Sequence, residues 1–219
     1  MGLEEGIIKF RQEYKEGPAL GHELLMELDS WRRAFYYLSL IGQYHGKYDN
    51  ARYGNVSQRL EPFNSEPNKR RFAITGSQTG HLEYLTPGHY AVVAEYYPEQ
   101  NLVISEGPIK ASSESMTHGT IYDLDDEVRF VFHAHSHAMW ENARALEIPE
   151  TSADVEYGTP EMAEEVRKLF RDTDVRKKKI LSMEGHEDGI FTFGGTSKVA
   201  GMVMTSYLAR ALEISPIRS

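Results

Sequence analysis

The apolar positions change period along the chain, and each change marks an element. Over residues 20–43, Leu24, Leu25, Leu28, Trp31, Phe35, Leu38 and Ile41 recur mostly three and four apart with few breakers between them. That spacing places them on one stripe of a helix. Gly42 and Gly46 then loosen the chain, and 49–53 reads as a polar connector. From Asn55 onward the runs are short and divided by turn residues. Phe72, Ala73 and Ile74 make a strand candidate entering a Gly- and Thr-rich stretch at 75–80, and 90–97 with 101–105 flank Pro98, Glu99 and Gln100 as a hairpin. Residues 112–122 predict a helix opened by serines, which are good N-caps. An apolar run (Val128, Phe130, Val131, Phe132) leads into a strand carrying His133, His135 and His137, with a helix expected at 139–146. Thr159, Pro160 and Glu161 mark a further helix start, with Arg167, Lys168 and Arg171 suited to the dipole at its far end. Strands at 180–183 and 190–193 bracket a polar loop, and the last helix covers 197–212 with Val199, Met202, Val203 and Tyr207 on one face. Helices at the start, middle and end around a hairpin-rich centre predict an α/β fold. We expect a single domain over 1–219, three-layer α/β/α, with a central, largely antiparallel sheet.

Composition narrows the partners. The chain has 219 residues, 40% of them hydrophobic and 26% charged, enough for one sizeable core. No apolar run approaches the roughly 18 residues of a membrane span, and residues 1–15 are acidic and mixed rather than leader-like. A cytoplasmic protein without a membrane partner is expected. There are no cysteines, so any metal must be held by histidine and carboxylate. A net charge of −9, from 24 basic and 33 acidic residues, argues against a nucleic-acid partner. The two basic clusters, Lys69 to Arg71 and Arg176 to Lys179, each precede a β-like run and read as solvated turns or strand-edge guards.

The histidine strand carries the chemistry. Residues i and i+2 of a strand project from one face, so His133 and His135 converge, and neutral imidazole is the commonest metal ligand. Hydrogen-bonded core histidines are the competing reading. Four other stretches stand out, each of which has a bland reading when taken alone. Gly54 and Asn55 could be a hairpin turn, and 75–80 a simple turn rather than an anion-cradling loop. Ser112 and Ser113 before Glu114 could be an ordinary helix cap rather than a phosphate seat. His186, between two strands, could be an exposed loop histidine.

Taken together and in this order, Gly54-Asn55-Val56-Ser57, Thr79-Gly80, Ser112-Ser113-Glu114, His133-Ala134-His135 and His186 resemble the class II aldolase/adducin family. The resemblance runs from about Asn55 through the last helix. It implies that His133, His135 and His186 bind one divalent ion per subunit, usually zinc, and that His137 does not. It further implies that Glu114 moves the proton at carbon and can touch the metal when substrate is absent. Asn55, Thr79, Gly80, Ser112 and Ser113 match positions that hold a substrate phosphate; Arg52, where relatives commonly have small residues, could pair bidentately with a phosphate or carboxylate or be a surface residue. The implied function is a metal-dependent aldolase, a lyase that cleaves or forms a carbon–carbon bond in a small phosphorylated sugar through a metal-stabilised enediolate. A homo-oligomer, by resemblance a tetramer, is also implied.

Three departures matter. Relatives have glycine directly after the third histidine, whereas Glu187 and Asp188 intervene here before Gly189, so an extra carboxylate could approach the metal. The tyrosine that fuculose-phosphate aldolases use shortly after the histidine strand has no clear counterpart. Residues 150–158 resemble instead the ribulose-phosphate epimerases, whose aspartate there, Asp154 in this chain, is a proton donor. A sugar-phosphate epimerase or dehydratase on the same metal site is the alternative within enzymes. A non-catalytic adducin-like interaction domain is the alternative outside them, against which the full chelating set argues.

Overall fold

The computed structural model describes residues 7–44, 46 and 50–214; residues 1–6 and Asp49, the head of the expected connector, lie outside them. In chain order the elements are β1 (Arg11–Glu16), α1 (His22–Tyr37), β2 (Gly42–Gln43), β3 (Arg52–Tyr53), β4 (Asn55–Arg59), β5 (Phe72–Thr75), β6 (Tyr90–Tyr97), β7 (Leu102–Gly107), α2 (Ser115–Leu124), β8 (Phe130–His135), α3 (His137–Glu141), α4 (Pro160–Asp172), α5 (Val175–Lys178), β9 (Ile180–Ser182), β10 (Gly189–Gly194) and α6 (Ser197–Ile214). Eight strands form one sheet in the order β1-β7-β6-β5-β4-β8-β10-β9, while β2 and β3 pair separately. Every pairing in the large sheet is antiparallel except that of β1 with β7.

Helices cover both faces. Leu25, Leu28 and Phe35 of α1 pack with Met139 of α3 and Ala200 and Met204 of α6 on one side. Met116 and Ile121 of α2 pack with Met162, Val166 and Leu169 of α4 on the other. The strand alternation sorts the sheet between these layers: Phe130, Phe132 and Ala134 of β8 join the first core and Val131 the second. His133 and His135, two and four residues beyond Val131, therefore face the α2/α4 layer.

Several boundaries differ from the sequence pattern, each for a local reason. The first helix stops at Tyr37, six residues short, because the chain reverses through Ser39 at φ 56°. Leu40 and Ile41 stay buried but give their N–H groups to the Phe35 carbonyl, and Leu40 O accepts from His135 N at 2.9 Å. Arg52 and Tyr53 are strand rather than connector, and Asn55 opens an inner strand instead of sitting in a hairpin turn. The serines do not cap α2: Glu114 occupies the cap position, and the helix begins at Ser115. The helix after the histidine strand is the short α3, capped by Ser136 Oγ on Met139 N, and turns follow it through Leu146. Arg70 is no solvated turn residue. It is buried, with Nη1 on Tyr122 O at 2.5 Å and ion pairs to Asp123 and Asp126, so it ties the sheet to the end of α2.

Candidate active site

Three imidazoles meet on the α2/α4 face. His133 and His135 come from β8, and His186 from the β9–β10 loop. That loop is closed by Met183 N on Gly189 O (2.9 Å), His186 N on Met183 O (3.1 Å) and Gly189 N on His186 O (2.9 Å). Gly189 has no room for a side chain, because a Cβ there would overlap Cδ2 of His186. The glycine that relatives place directly after the histidine here stands three residues later, against the ring itself. One ring nitrogen from each histidine lies within 4.8 Å of the other two, and His135 Nε2 and His186 Nε2 are 3.0 Å apart. Phe191 stacks on His133 with centroids 4.5 Å apart, and Tyr157 meets His186 edge-on at 4.5 Å.

The donor set fits a divalent cation. Burial drives His133 down to about 3 and His186 well below its ordinary value, the latter helped by the neighbouring His133 and then by Lys9. Both rings are therefore neutral at physiological pH, the state in which imidazole ligates. His133 Nδ1 lies 3.3 Å from the Ile190 carbonyl, which places its proton there and turns the Nε2 lone pair inward. That buried Nε2 has no hydrogen-bond partner among the described residues. A buried acceptor without a partner costs about 1–3 kcal/mol, and a bound cation removes the cost.

Glu114 sits at the start of α2, buried to 2% exposure. Its Oε2 accepts from Thr117 Oγ1 at 3.0 Å, and its Oε1 has no partner among the described residues. Burial pushes the carboxyl up to about 7, against the opposing pull of the Thr117 hydroxyl and of Lys9. Lys9 bears electrostatically on both Glu114 and His186, with its Nζ 4.0 Å from the Tyr157 ring centre.

Arg52, Asn55, Thr79, Gly80, Ser112 and Ser113 line one polar recess together with Gly54, Gly76, Ser77 and Gln78. The two loops forming it are stitched by Ser77 N on Lys110 O (2.9 Å) and a bridge between Gly76 and Ala111. From below, the buried Arg32 of α1 donates to the carbonyls of Thr79, Gly80 and Glu83 at 3.2, 2.9 and 2.9 Å. A Cβ on Gly80 would lie 2.7 Å from Tyr53 O, so only glycine fits. Arg52 reaches Gln78 Oε1 at 3.1 Å. Asn55 is the ladder partner of His133 across β4 and β8, so recess and imidazoles share adjacent strands. Beside His135 a separate cavity of about 360 Å³ is lined by Leu38, Leu40, Tyr44, His137, Asp188 and Leu208, among others.

Asp154 is exposed and does not line the recess. Its segment nevertheless borders the imidazoles: Thr151 N bonds Ser182 O at 3.0 Å, and Tyr157 touches His186. His137 opens α3, exposed, with Nδ1 on Asp188 Oδ1 at 2.9 Å, so the inserted aspartate engages the histidine that is not in the triad. The sequence pattern did not single out Lys9, Arg32 or Tyr157. Arg32 had a signal, since it falls on the apolar side of α1 between Leu28 and Phe35; Lys9 had none.

The chain belongs to the family of class II aldolase and adducin N-terminal domains, whose model matches residues 42–215. The solved structures it resembles include L-fuculose-1-phosphate aldolase from Thermus thermophilus, at TM-score 0.61 and 19% identity over 90% of this chain and 100% of that one. A sugar-phosphate aldolase from Thermotoga maritima aligns at TM-score 0.58 and 16% identity, covering 90% and 99%. YgbL from Escherichia coli, whose chemistry is left open between aldolase, epimerase and decarboxylase, aligns at TM-score 0.62 and 16% identity, covering 90% and 92%. At these identities the likeness establishes the fold. No curated protein sequence matches the chain. No helix among the described residues is long and apolar enough to cross a membrane.

Proposed function

We propose that this protein is a metal-dependent aldolase that cleaves or forms a carbon–carbon bond in a small phosphorylated sugar, with zinc as its ion. The observation that carries the reading is the recess: six residues from three separate stretches of sequence line one polar hollow beside the buried imidazoles. The Thr79, Ser112 and Ser113 hydroxyls and the Asn55 amide offer neutral donors to a phosphate, and Arg52 supplies the charge. Gly80 lets the backbone approach. His133, His135 and His186 would hold the ion, and an all-imidazole set without thiolates suits zinc among common divalent metals. When bound, the ion supplies Lewis acidity toward a substrate carbonyl. Glu114, with its carboxyl near neutrality, takes or returns the proton at the adjacent carbon. The separate cavity by His135 is within the size range of small-molecule sites. We place the protein in the cytoplasm as one domain in a homotetramer, which sedimentation analysis would check.

The 150–158 segment beside His186 favours a second reading, an epimerase or dehydratase with Asp154 as a further proton-transfer group. Incubating the zinc-loaded protein with dihydroxyacetone phosphate and a panel of aldehydes separates them. The aldolase reading expects condensation and solvent deuterium entering dihydroxyacetone phosphate. Neither occurring, with pentose phosphates supplied in a parallel incubation epimerised or dehydrated instead, would transfer the assignment. Failure of the protein to bind any divalent ion would sink both.

A further inference from the structure

His118 is fully buried one turn into α2, where its N–H bonds Glu114 O at 3.1 Å. It is neither a ligand nor a recess residue, yet both of its ring nitrogens are engaged. Nε2 lies 2.6 Å from Asn55 Oδ1 and Nδ1 2.7 Å from Ser57 Oγ, which in turn lies 2.8 Å from Tyr122 OH. Asn55 and Ser57 are i and i+2 on β4, so they share the face toward α2, and one imidazole spans the interval between them. Phe191 meets the His118 ring edge-on at 5.2 Å and Phe72 lies parallel to it at 6.4 Å, which fixes its plane.

The direction of the relay follows from where each proton can go. Burial holds His118 neutral, well below its ordinary value, so the ring carries one N–H. The 2.6 Å contact to Asn55 suits an N–H pointing at oxygen, because two nitrogens sharing a proton stand farther apart. That puts the proton on Nε2 and leaves Nδ1 as an acceptor. The Ser57 proton goes to Nδ1 at 2.7 Å rather than to Val131 O at 3.4 Å. The Tyr122 proton goes to Ser57 at 2.8 Å rather than to Arg129 O at 3.4 Å. Every donor then runs one way, from Tyr122 through Ser57 and His118 to the Asn55 carbonyl. With Oδ1 held by His118, Asn55 turns its NH2 group to the recess it lines. The reverse relay would present a carbonyl oxygen there and repel an anion.

We infer that His118 is a positioning residue for the anion subsite, its Nε2–H fixing the Asn55 carboxamide so that the amide nitrogen faces the recess. The inference rests on the reading of the recess as a phosphate site. The test is calorimetric titration of the zinc-loaded protein with inorganic phosphate, comparing wild type with Asn55→Ala, His118→Phe, His118→Gln and the Asn55→Ala/His118→Phe double variant. Melting temperature and zinc content serve as controls. Asn55→Ala and His118→Phe should each weaken phosphate about tenfold, the double variant no more than Asn55→Ala alone, and His118→Gln, which keeps an N–H donor, by no more than about threefold. Unchanged binding in His118→Phe, or losses that multiply in the double variant, would overturn the role of His118 while leaving the recess intact. Unchanged binding in Asn55→Ala would remove the recess reading and this inference with it. Should the Phe variant not fold, the wild type still decides: histidine-selective ¹H–¹⁵N spectra must show His118 as the Nε2–H tautomer, and an Nδ1–H ring refutes the relay.

Discussion

Glu114→Gln offers a direct measure of what burial does to the proposed proton carrier. In the metal-free protein the Glu114 carboxyl is pushed from the ordinary 4.5 to about 7 by loss of solvation. A native pKa above the unfolded one means that the folded state holds the proton more tightly. Stability from this group is therefore full below pH 4.5 and falls as pH rises through 7. At about 1.4 kcal/mol per pH unit, the interval makes the native protein about 3 kcal/mol less stable at pH 8 than it would be with a neutral side chain at this position. Glutamine is such a side chain and nearly isosteric, so the variant should gain stability relative to wild type from pH 5 to pH 8. The buried histidines complicate either curve alone. With His133 and His186 depressed, their contribution is full above the ordinary histidine value near 6.5 and is lost as pH falls below it. Subtracting wild type from variant cancels them. The assay is urea unfolding of chelator-treated protein at half-unit pH steps, and saturating zinc should then shrink the gap if the carboxylate faces the ion. Two unfolding curves that stay parallel across the whole range would refute the reasoning.

Other substitutions probe the parts separately. Gly189→Ala drives a methyl group into the His186 ring and should weaken zinc at least about tenfold in a chelator-competition titration. Wild-type affinity there would show that the ring is free to move. Arg32→Met removes a charged donor from three carbonyls under the recess and should cost about 3 kcal/mol in urea unfolding; a loss below about 1 kcal/mol would mean that water replaces it. Ser113→Asp puts a carboxylate into the recess and should raise KM for phosphorylated substrates at least about tenfold with zinc content unchanged. An unchanged KM would place the phosphate elsewhere.

What could be read from sequence depended on whether burial was accompanied by apolar side chains. The strand β8 was legible because Phe130, Val131 and Phe132 announce it and two candidate ligands, His133 and His135, share its face. His186 was not reachable by spacing, since its approach depends on how the β9–β10 loop closes; only the order of motifs pointed to it. The edge strand β1 escaped because Arg11 to Glu16 leave no residue fully buried and so show no apolar alternation. The helical stripe overran into Leu40 and Ile41 because they are buried for a different reason, under a reversed chain that meets the end of β8.

The inner strand β4 shows the same principle with its sign reversed. Asn55, which could be read as part of a hairpin turn, and the polar Ser57 and Arg59 are all buried at the centre of an eight-stranded sheet. Each meets a partner the sequence does not advertise: His118 for Asn55 and Ser57, and the carbonyls of Phe63 and Asp126 for the Nη atoms of Arg59. An unsatisfied polar group there would cost about 1–3 kcal/mol, so a strand this polar persists only because α2 and the loop after β4 complete it. The recess residue Asn55 is thus at once a member of the sheet ladder, a neighbour of the histidine strand and the end of a buried relay. A change at His118 should therefore move anion binding before it moves the fold.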